Sequence, residues 1–337
     1  MNGKHDIQRN LEIFKEEGRS VWMSAENVLV TGGAGFIGSN LVDALLRENY
    51  NVRVMDNFAT GHRSNLAHCL ADIELIEGDI RDQEAVEEAV KGIDMILHQA
   101  AIPSVPRSIK APVISNDVNI GGTLKLLSAA HKAGVRRMVM ASSSSVYGNA
   151  ETLPKTEDMI PKPMSPYAVT KLTGEYYLRI FAELYGMETL SIRYFNVFGP
   201  RQDPNSQYSG VIAKFMKVAL EESCYTVCGD GLQSRDFTYI DNVVAANLKA
   251  LQSKTLGGES INIACGDRIT LLDMIKLLNK IIAKDLTIEF LEACAGDIKH
   301  SQAGIERARE LIGYTPAVNF ETGFHRTFAW YRENISS

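Results

Sequence analysis

Tyr167 and Lys171 are the residues whose types and spacing are best suited to acid–base chemistry. The preceding Ser165-Pro166 signals a helix start, and positions i and i+4 of a helix share one face. A free tyrosine has a pKa of about 10, and a neighbouring ammonium lowers that pKa by stabilising the phenolate. Ser143, in a serine-rich stretch after an apolar run, offers a second hydrogen bond to the reacting oxygen. The pattern predicts a base that removes a hydroxyl proton, although Tyr-x-x-x-Lys alone is also typical of ordinary amphipathic helices.

A second pattern, Gly32-x-x-Gly35-x-x-Gly38, follows a short apolar run and opens an amphipathic helix. In a dinucleotide-binding turn the first glycine permits the tight turn and the second lets the backbone approach a pyrophosphate. The third lets the helix pack closely on the strand. The helix start then offers free N–H groups and a partial positive charge to the phosphates. Glycine spacing alone is also compatible with a turn that binds no ligand.

The acidic residue expected in such a site is Asp56, which ends the second apolar run about 20 residues further on. Its carboxylate is placed to accept hydrogen bonds from an adenine ribose. An acid there repels a 2′-phosphate, so NAD is favoured over NADP. The third run leads to Gly78-Asp79-Ile80, which is placed to border the adenine. In this context the glycine pattern predicts a dinucleotide site, which also favours the catalytic interpretation of Tyr167 and Lys171.

Short β-branched runs alternate with amphipathic helical stretches and predict the elements that position these residues. The predicted strands span 28–30, 51–55, 73–76, 95–97, 137–140 and 189–192. Short apolar strands at this spacing are typical of a parallel sheet covered on both faces. We therefore predict an α/β fold: a doubly wound parallel sheet (Rossmann fold) with a second, smaller mixed α/β lobe.

The pattern changes after Asn196, where segments become shorter and turn formers more frequent. We expect residues 1–24 to form a polar helical extension at the N-terminus. Residues 25–196 plus 236–262 are predicted to form the NAD-binding Rossmann domain. Residues 197–235 plus 263–337 are predicted to form the substrate-binding lobe.

Composition argues against several classes of function. The net charge is −6 with no run of Lys or Arg, so no nucleic-acid partner is expected. No apolar stretch approaches the roughly 18 residues that span a bilayer, so no membrane association is expected. The N-terminus lacks an apolar signal segment, and the 5 cysteines are scattered like reduced thiols, which favours a cytoplasmic location. Neither cysteines nor histidines have metal-ligand spacing, so no metal is predicted.

Four motifs carry a resemblance to the extended short-chain dehydrogenase/reductase family: Gly32-x-x-Gly35-x-x-Gly38, Ser143 before Val146-Tyr-Gly148, Tyr167-x-x-x-Lys171, and Arg193-Tyr-Phe-Asn-Val-Phe-Gly-Pro200. The resemblance extends over residues 27–330. Within the family, the chain is similar to UDP-sugar 4-epimerases, particularly UDP-N-acetylglucosamine 4-epimerases. It implies tightly bound NAD, transient oxidation of the sugar at C4 to a ketone, and return of the hydride to the opposite face.

The resemblance also implies roles for individual residues. Ser143, Tyr167 and Lys171 match the catalytic triad. The implied NAD contacts are Gly32, Gly35, Phe36, Ile37, Gly38, Asp56, Asn57, Asp79, Ile80, Gln99, Ala100, Ala101, Asn119, Tyr167, Lys171 and Tyr194. The implied UDP-sugar contacts are Ser143, Ser144, Asn196, Val211, Thr226, Arg235, Asp297 and Ser301. In two places the chain departs from the family pattern: Cys294 stands where an arginine is usual, and Gly304 where an aspartate is common.

Two positions beside the catalytic serine bear on the type of reaction. In nucleotide-sugar 4,6-dehydratases an Asp-Glu pair eliminates water, and UDP-glucuronate decarboxylases usually carry a glutamate at the second position. This chain has Ser144 and Ser145 instead. The resemblance therefore implies epimerisation at C4 of a UDP-sugar held by its diphosphate, with Arg235 as the gripping residue.

Ser301 matches the position that lines the sugar's 2-substituent, where a bulky aromatic would exclude an N-acetyl group. The UDP-GlcNAc/UDP-GalNAc pair is therefore favoured, with UDP-Glc/UDP-Gal also possible. The alternatives are UDP-glucuronate 4-epimerisation and a catalytically silent NAD-binding sensor. A homodimer is expected by resemblance. It would pair the helix around 122–133 and the Tyr167 helix with their symmetry mates. The candidate interface positions are Leu124, Leu127, Tyr176 and Ile180, which are equally compatible with the core of the subunit.

Overall fold

The computed structural model describes residues 25–204, 210–292 and 299–334. The extension predicted for residues 1–24 lies outside these ranges. Strands β1 to β6 are Asn27–Thr31, Asn51–Asp56, Ile73–Glu77, Met95–His98, Arg137–Ser143 and Glu188–Tyr194. Strands β7 to β13 are Val197–Phe198, Tyr225–Cys228, Ser234–Arg235, Thr238–Tyr239, Glu259–Ile263, Ile269–Thr270 and Ile288–Leu291.

Seven of these strands form one parallel sheet in the order β11-β6-β5-β4-β1-β2-β3. The order runs one way from β1 to β3 and the other way from β4 to β11, so the connections reverse between β1 and β4. Ligands of such sheets bind in the crevice at this reversal, outside the carboxyl ends of the strands. The predicted doubly wound α/β fold is confirmed.

Helices α1 to α6 span Phe36–Arg47, Gln83–Ala89, Val105–Lys110, Pro112–Asn116, Thr123–Lys132 and Pro166–Tyr185. Helices α7 to α11 span Val211–Glu221, Ile240–Gln252, Leu271–Ile282, Glu306–Ile312 and Phe320–Asn334. Side chains of β1 alternate between two cores: Val28 and Val30 join α1 and α8 on one face. Leu29 joins α2, α5 and α6 on the other face. No helix in the described ranges is long and apolar enough to cross a membrane.

Both strands that lead into the site run past their predicted ends. β5 continues to Ser143 and β6 to Tyr194, where these two residues are paired in the parallel ladder. The prediction ended β5 at Met140 because its last residues are small and polar. These residues remain paired because the backbone ladder depends little on side chains, and their position places serines at the carboxyl edge.

The short strands belong to the part of the chain that follows Asn196. β8 pairs with β13 and β9 with β12, while β7 pairs with β10 beside the main sheet. Helix α9 packs against α7 in this part. The large sheet regains a strand only at β11, which pairs with β6.

The four candidate interface positions divide between the two alternatives, subunit core and exposed surface. Leu127 on α5 is fully buried in the core, and Leu124 on the same helix is partly buried and packs against that core. Helix α5 is covered by α6 and α2, so this side of it cannot meet another subunit. Tyr176 and Ile180, by contrast, are exposed on α6.

Candidate active site

Ser143 and Tyr167 meet where β5 ends and α6 begins. Pro166 occupies the first turn of α6, and the Ser165 hydroxyl caps the helix by accepting from the Ala168 N–H at 3.2 Å. The Ser143 side chain lies close enough to the Tyr167 phenol to lower the pKa of that group. Because Ser165 and Pro166 set where α6 begins, they also set the position of Tyr167 in the first turn, beside Ser143.

The electrostatics of Tyr167 differ from the expectation. Burial raises the pKa of its phenol to about 12, opposed only in part by the nearby Ser143 side chain. Lys171 Nζ lies 5.8 Å from the centre of the tyrosine ring and donates to the Ala141 carbonyl at 2.8 Å. Burial lowers the pKa of this lysine to about 8, and Glu175 opposes the shift. Desolvation is the largest cause of the Tyr167 shift, so the protein by itself holds the phenol protonated.

The glycine turn after β1 has no room for side chains. Gly32 has φ +70°, and a Cβ on Gly38 would lie 2.1 Å from the Gly32 carbonyl oxygen. Gly35 begins α1 without a side-chain cap, ahead of the partly buried Phe36 and Ile37. An uncapped helix start beside an open backbone turn fits a pyrophosphate. This site is compatible with NAD.

The ends of β2 and β3 bring together three of the predicted adenosine contacts. Asp56 accepts from the Ala34 N–H at 2.9 Å and from the Phe58 N–H at 2.8 Å, and burial raises the pKa of its carboxyl. Asn57 donates to Asp79 at 2.8 Å. The Arg81 guanidinium lowers the pKa of Asp79 to about 2, so this carboxylate is ionised throughout the neutral range. Backbone N–H groups therefore hold the Asp56 carboxylate in place at the end of β2, and Asn57 and Arg81 hold the Asp79 carboxylate beside it.

Ile80 and the chain after β4 complete this side of the crevice. Ile80 is buried against Gly122, and the Ala100 backbone lies within 2.8 Å of a Cβ built on Gly32. Gln99 hydrogen bonds to the Tyr194 hydroxyl at 3.3 Å, and Ala101 follows in the same loop. The predicted contacts from β1, β4 and β6 therefore lie along one crevice.

Asn119 joins that loop to the catalytic helix. It lies in a π-helical turn, Asp117–Gly122, between α4 and α5. Its Oδ1 accepts from the Ile102 N–H at 2.8 Å, and its Nδ2 donates to Thr170 Oγ1 at 3.1 Å. Such π-turns often mark functional sites because they turn one side chain out of helical register. Here the turn lets one amide hold the chain after β4 against α6.

A cavity of about 850 Å³ lies between α7, β8, β9 and the chain after β6. Four of the predicted substrate contacts line it: Asn196, Val211, Thr226 and Arg235. Asn196 has a left-handed backbone (φ 36°) and donates from Nδ2 to the Asp236 carbonyl at 2.8 Å. A strained non-glycine residue at a cavity wall indicates a functional constraint.

The remaining substrate predictions fall beside the cavity or outside the described chain. Ser301 is only 5% exposed, and its N–H donates to the Ser234 carbonyl at 3.0 Å, next to Arg235; it is not among the lining residues. Ser144 starts the short 3₁₀ turn after β5. Asp297 and Cys294 lie outside the described residues.

Sequence reasoning missed several cavity residues. Lys214 and Phe215 line the wall with Val211 and Val218. Their positions i, i+3, i+4 and i+7 follow a single helical face, a signal that was present in the sequence. Lys214 adds a positive charge to the wall that Arg235 also lines.

One group of side chains outside the crevice has the composition of a metal site. Ligand atoms of Asp43, His68 and Cys69 lie within 4.8 Å of one another. However, Asp43 already accepts from His68 at 2.8 Å and from the Arg201 guanidinium at 2.7 Å. A fixed guanidinium at this distance opposes a cation, so we assign no metal here.

Comparisons with known proteins agree with this geometry. Residues 28–264 match the family described as NAD dependent epimerase/dehydratase. A UDP-glucose 4-epimerase of Mycolicibacterium smegmatis is 36% identical over 308 residues, covering 90% of this chain and 98% of that one. A UDP-glucuronate 4-epimerase of Thermodesulfobacterium geofontis is 35% identical over 318 residues, covering 91% and 96%.

Among solved structures, the UDP-N-acetylglucosamine 4-epimerase from Methanobrevibacter ruminantium M1 superimposes with a TM-score of 0.88. It is 37% identical, and the match covers 92% of this chain and 99% of that chain. That protein was solved in complex with UDP-N-acetylmuramic acid. The match extends well beyond the sheet, over nearly the whole of both chains. By sequence, fold and crevice alike, the chain belongs to the NAD-dependent epimerase/dehydratase family.

Proposed function

We propose that the protein is a UDP-sugar 4-epimerase whose preferred pair is UDP-GlcNAc and UDP-GalNAc. The observation that carries the proposal is the arrangement of Ser143, Tyr167 and Lys171 at the carboxyl edge of the sheet. Ser143 is paired with Tyr194 on β6, and Asn196, two residues further on, lines the 850 Å³ cavity. A sugar at the triad and a nucleotide in the cavity can therefore belong to one ligand.

Tyr167 acts as the acid–base group, and Ser143 holds the reacting C4 oxygen by a second hydrogen bond. Bound NAD would supply a reversible hydride acceptor for C4, and its positive ring would favour the phenolate of Tyr167. Ser145 donates its hydroxyl to Ser143 Oγ at 2.9 Å and so fixes the serine. Neither Ser144 nor Ser145 offers a carboxylate for elimination, so reduction of the ketone is the path left open.

Inversion requires the ketone to turn while the nucleotide stays in place. Arg235 and Asn196 on the cavity wall are suited to hold the diphosphate, because a guanidinium matches phosphate oxygens with two parallel hydrogen bonds. Val211 and Thr226 are the proposed uracil contacts. Asp297 remains a proposed ribose contact from the sequence alone.

The choice of sugar pair rests on Ser301, a small buried side chain beside the strand of Arg235. A small residue there leaves room for an acetamido group at C2. Relatives named for glucose, glucuronate and N-acetylglucosamine substrates all match at similar identity, so total similarity does not favour one pair. UDP-glucose/UDP-galactose and UDP-glucuronate remain the alternative pairs, and an NAD-binding sensor is the alternative of another class.

A panel of UDP-sugars tests the proposal directly. Purified protein is incubated with each sugar without added NAD or NADPH, and inversion at C4 is followed by proton NMR. We expect the fastest inversion with UDP-GlcNAc or UDP-GalNAc. Bound NAD without turnover of any UDP-sugar would favour the sensor, and strict dependence on added NADPH would contradict the epimerase.

The protein is further proposed to form a homodimer through one side of α6 and α4. Val169, Tyr176, Ile180 and Leu184 repeat along one face of α6 and are 42–71% exposed. Val113 and Ile114 on the neighbouring α4 are exposed as well. A contiguous apolar face of this kind marks an interaction surface. A dimer mass by light scattering at micromolar concentration, reduced to a monomer by Ile180→Asp, is the expected result; a monomeric wild type would contradict it.

A further inference from the structure

A buried ion pair lies behind the catalytic lysine. Glu175 follows Lys171 by one turn of α6, and Arg193 lies on β6; their side chains are 4% and 5% exposed. Arg193 donates to both carboxylate oxygens, at 2.9 and 2.7 Å. Buried pairs of this type often contribute little net stability, because desolvation offsets their attraction. Their presence one turn from a catalytic group therefore calls for another explanation.

The Glu175 carboxylate connects the catalytic helix to three adjacent strands. Besides Arg193 on β6, it accepts from the Ser142 hydroxyl on β5 and, at 3.1 Å, from the Ser260 hydroxyl on β11. Ser142 immediately precedes Ser143 and is paired with Arg193 in the ladder. The same carboxylate thus fixes the rotation of α6 relative to the strand that carries the catalytic serine.

Arg193, the positive member of the pair, is also held by residues other than Glu175. Arg193 donates to the Tyr147 hydroxyl at 2.8 Å, and Tyr147 donates to Asn262 Oδ1 at 2.7 Å. The guanidinium carbon lies 4.9 Å from the centre of the Tyr147 ring. The carboxylate lies one turn from Lys171 on the same helix, and it is the member of the pair that raises the pKa of Lys171 against the effect of burial.

The other groups that face Lys171 carry no negative charge. Tyr167 on the same helix is a protonated phenol, and Ala141 on β5 presents a carbonyl. His98 on β4 is buried, and burial together with Lys171 lowers its pKa to about 3, so it is neutral. Among the described groups around the lysine, Glu175 is therefore the anion.

We propose that Glu175 is a positioning residue for the reaction: its carboxylate, fixed behind the catalytic helix, keeps the Lys171 amine in its charged form beside Tyr167. The proposal rests on the proposed function for its catalytic meaning. Lys171 must carry its charge to favour the phenolate of Tyr167. Burial alone disfavours that charge, and the fixed carboxylate restores it without contacting the substrate.

Glu175→Gln tests the charge with little change of shape. The titration midpoint of Lys171 Nζ, followed by nitrogen NMR in lysine-labelled protein and assigned with Lys171→Met, should fall by roughly one unit. The alkaline limb of the kcat profile should move to lower pH by the same amount, with about fivefold lower kcat at pH 8 and little change in KM. Glu175→Asp, which keeps the charge, should recover part of the loss.

A double variant separates this role from a structural one, because Glu175→Gln leaves Arg193 buried without an anion. Glu175→Gln/Arg193→Gln removes both charges. Because the pKa of Lys171 responds to Glu175 and not to Arg193, the double variant should fold, yet keep the lowered Lys171 midpoint and the shifted alkaline limb. Wild-type midpoint and kcat in the folded double variant would overturn the proposal. The NMR midpoint needs no substrate, so it tests Glu175 even if the wild type inverts no UDP-sugar, a result that would contradict only the proposed function.

Discussion

The glycine turn and the acidic residue on the cofactor side of the crevice come from consecutive stretches of chain, whereas the substrate side is collected from distant segments. The turn of Gly32, Gly35 and Gly38 and the carboxylate of Asp56 come from two neighbouring strands. The cavity takes its walls from residues as far apart as Val105 and Leu271. Local geometry therefore determines the first side, while the second depends on the packing of short elements.

The two sides also differ in how their polar groups are held. On the cofactor side, Asp56 accepts two backbone N–H groups and Asn119 bridges a loop to α6. On the substrate side, the cavity is lined largely by apolar side chains, with Arg235 and Lys214 as its charged groups. We infer that cofactor binding tolerates few substitutions, whereas substrate choice can change by single replacements.

Tyr167→Phe lies where the two sides meet and should have the largest effect. The variant loses the acid–base hydroxyl but keeps the ring, so the fold and bound NAD should remain. We expect kcat to fall by about a hundredfold or more, the typical contribution of a positioned acid–base group. Retention of more than about a tenth of wild-type kcat would show that Tyr167 is not the base.

Gly38→Ala should disrupt the glycine turn and so weaken NAD binding. The added Cβ would lie 2.1 Å from the Gly32 carbonyl and 2.8 Å from the Gly33 Cα, both of them backbone atoms that cannot rotate away. NAD should co-purify with the wild type, whereas the variant should contain little, and overpacking should lower its stability by roughly 1–3 kcal/mol. The NAD content of each protein is measured by the absorbance of the dinucleotide released on denaturation.

Gly121→Ala is the matched control for that variant. Gly121 also lies near the crevice, in the π-helical turn, but a Cβ there would have no neighbour within 4 Å. Its NAD content should equal that of the wild type. An equal loss in both variants would mean that the effect is not specific to the turn after β1.

The same contrast explains how much could be predicted from sequence. The glycine turn, Asp56 and the Tyr167–Lys171 pair depend on spacings of a few residues, so periodicity and helix-start signals locate them. The pairing of Glu175 with Arg193 depends on which strand faces which turn of α6, and no local spacing encodes it. The high pKa of Tyr167 was likewise missed, because burial is a property of the folded chain and not of the sequence pattern.

The substrate side was predicted by resemblance rather than by pattern. Asn196, Val211, Thr226 and Arg235 do line one cavity, although nothing in their spacing required it. For Leu127, by contrast, the sequence could not decide between core and interface, because an apolar helical position can face either the core or a partner subunit. The two-lobe boundaries and the individual site roles stay predictions.

Ser301→Tyr sharpens the comparison on the substrate side. Ser301 is buried beside the strand of Arg235, so an aromatic ring must displace its neighbours. Overpacking of about 1–3 kcal/mol corresponds to roughly a 5- to 150-fold loss in kcat/KM. The loss should fall on UDP-GlcNAc and UDP-GalNAc, whose acetamido group needs the space, while UDP-glucose and UDP-galactose should be spared or improved.

The control for this variant is Ser301→Ala, which removes the hydroxyl without filling the space. If Ser301 borders the sugar at C2, Ala should leave the preference between the two sugar pairs nearly unchanged, whereas Tyr should reverse it. Steady-state kinetics of both variants on both pairs measure this ratio, in which a general loss of stability cancels. An equal change on both pairs would place Ser301 outside the sugar pocket. The choice of sugar would then depend on other residues, while NAD binding and Tyr167 chemistry would be unaffected.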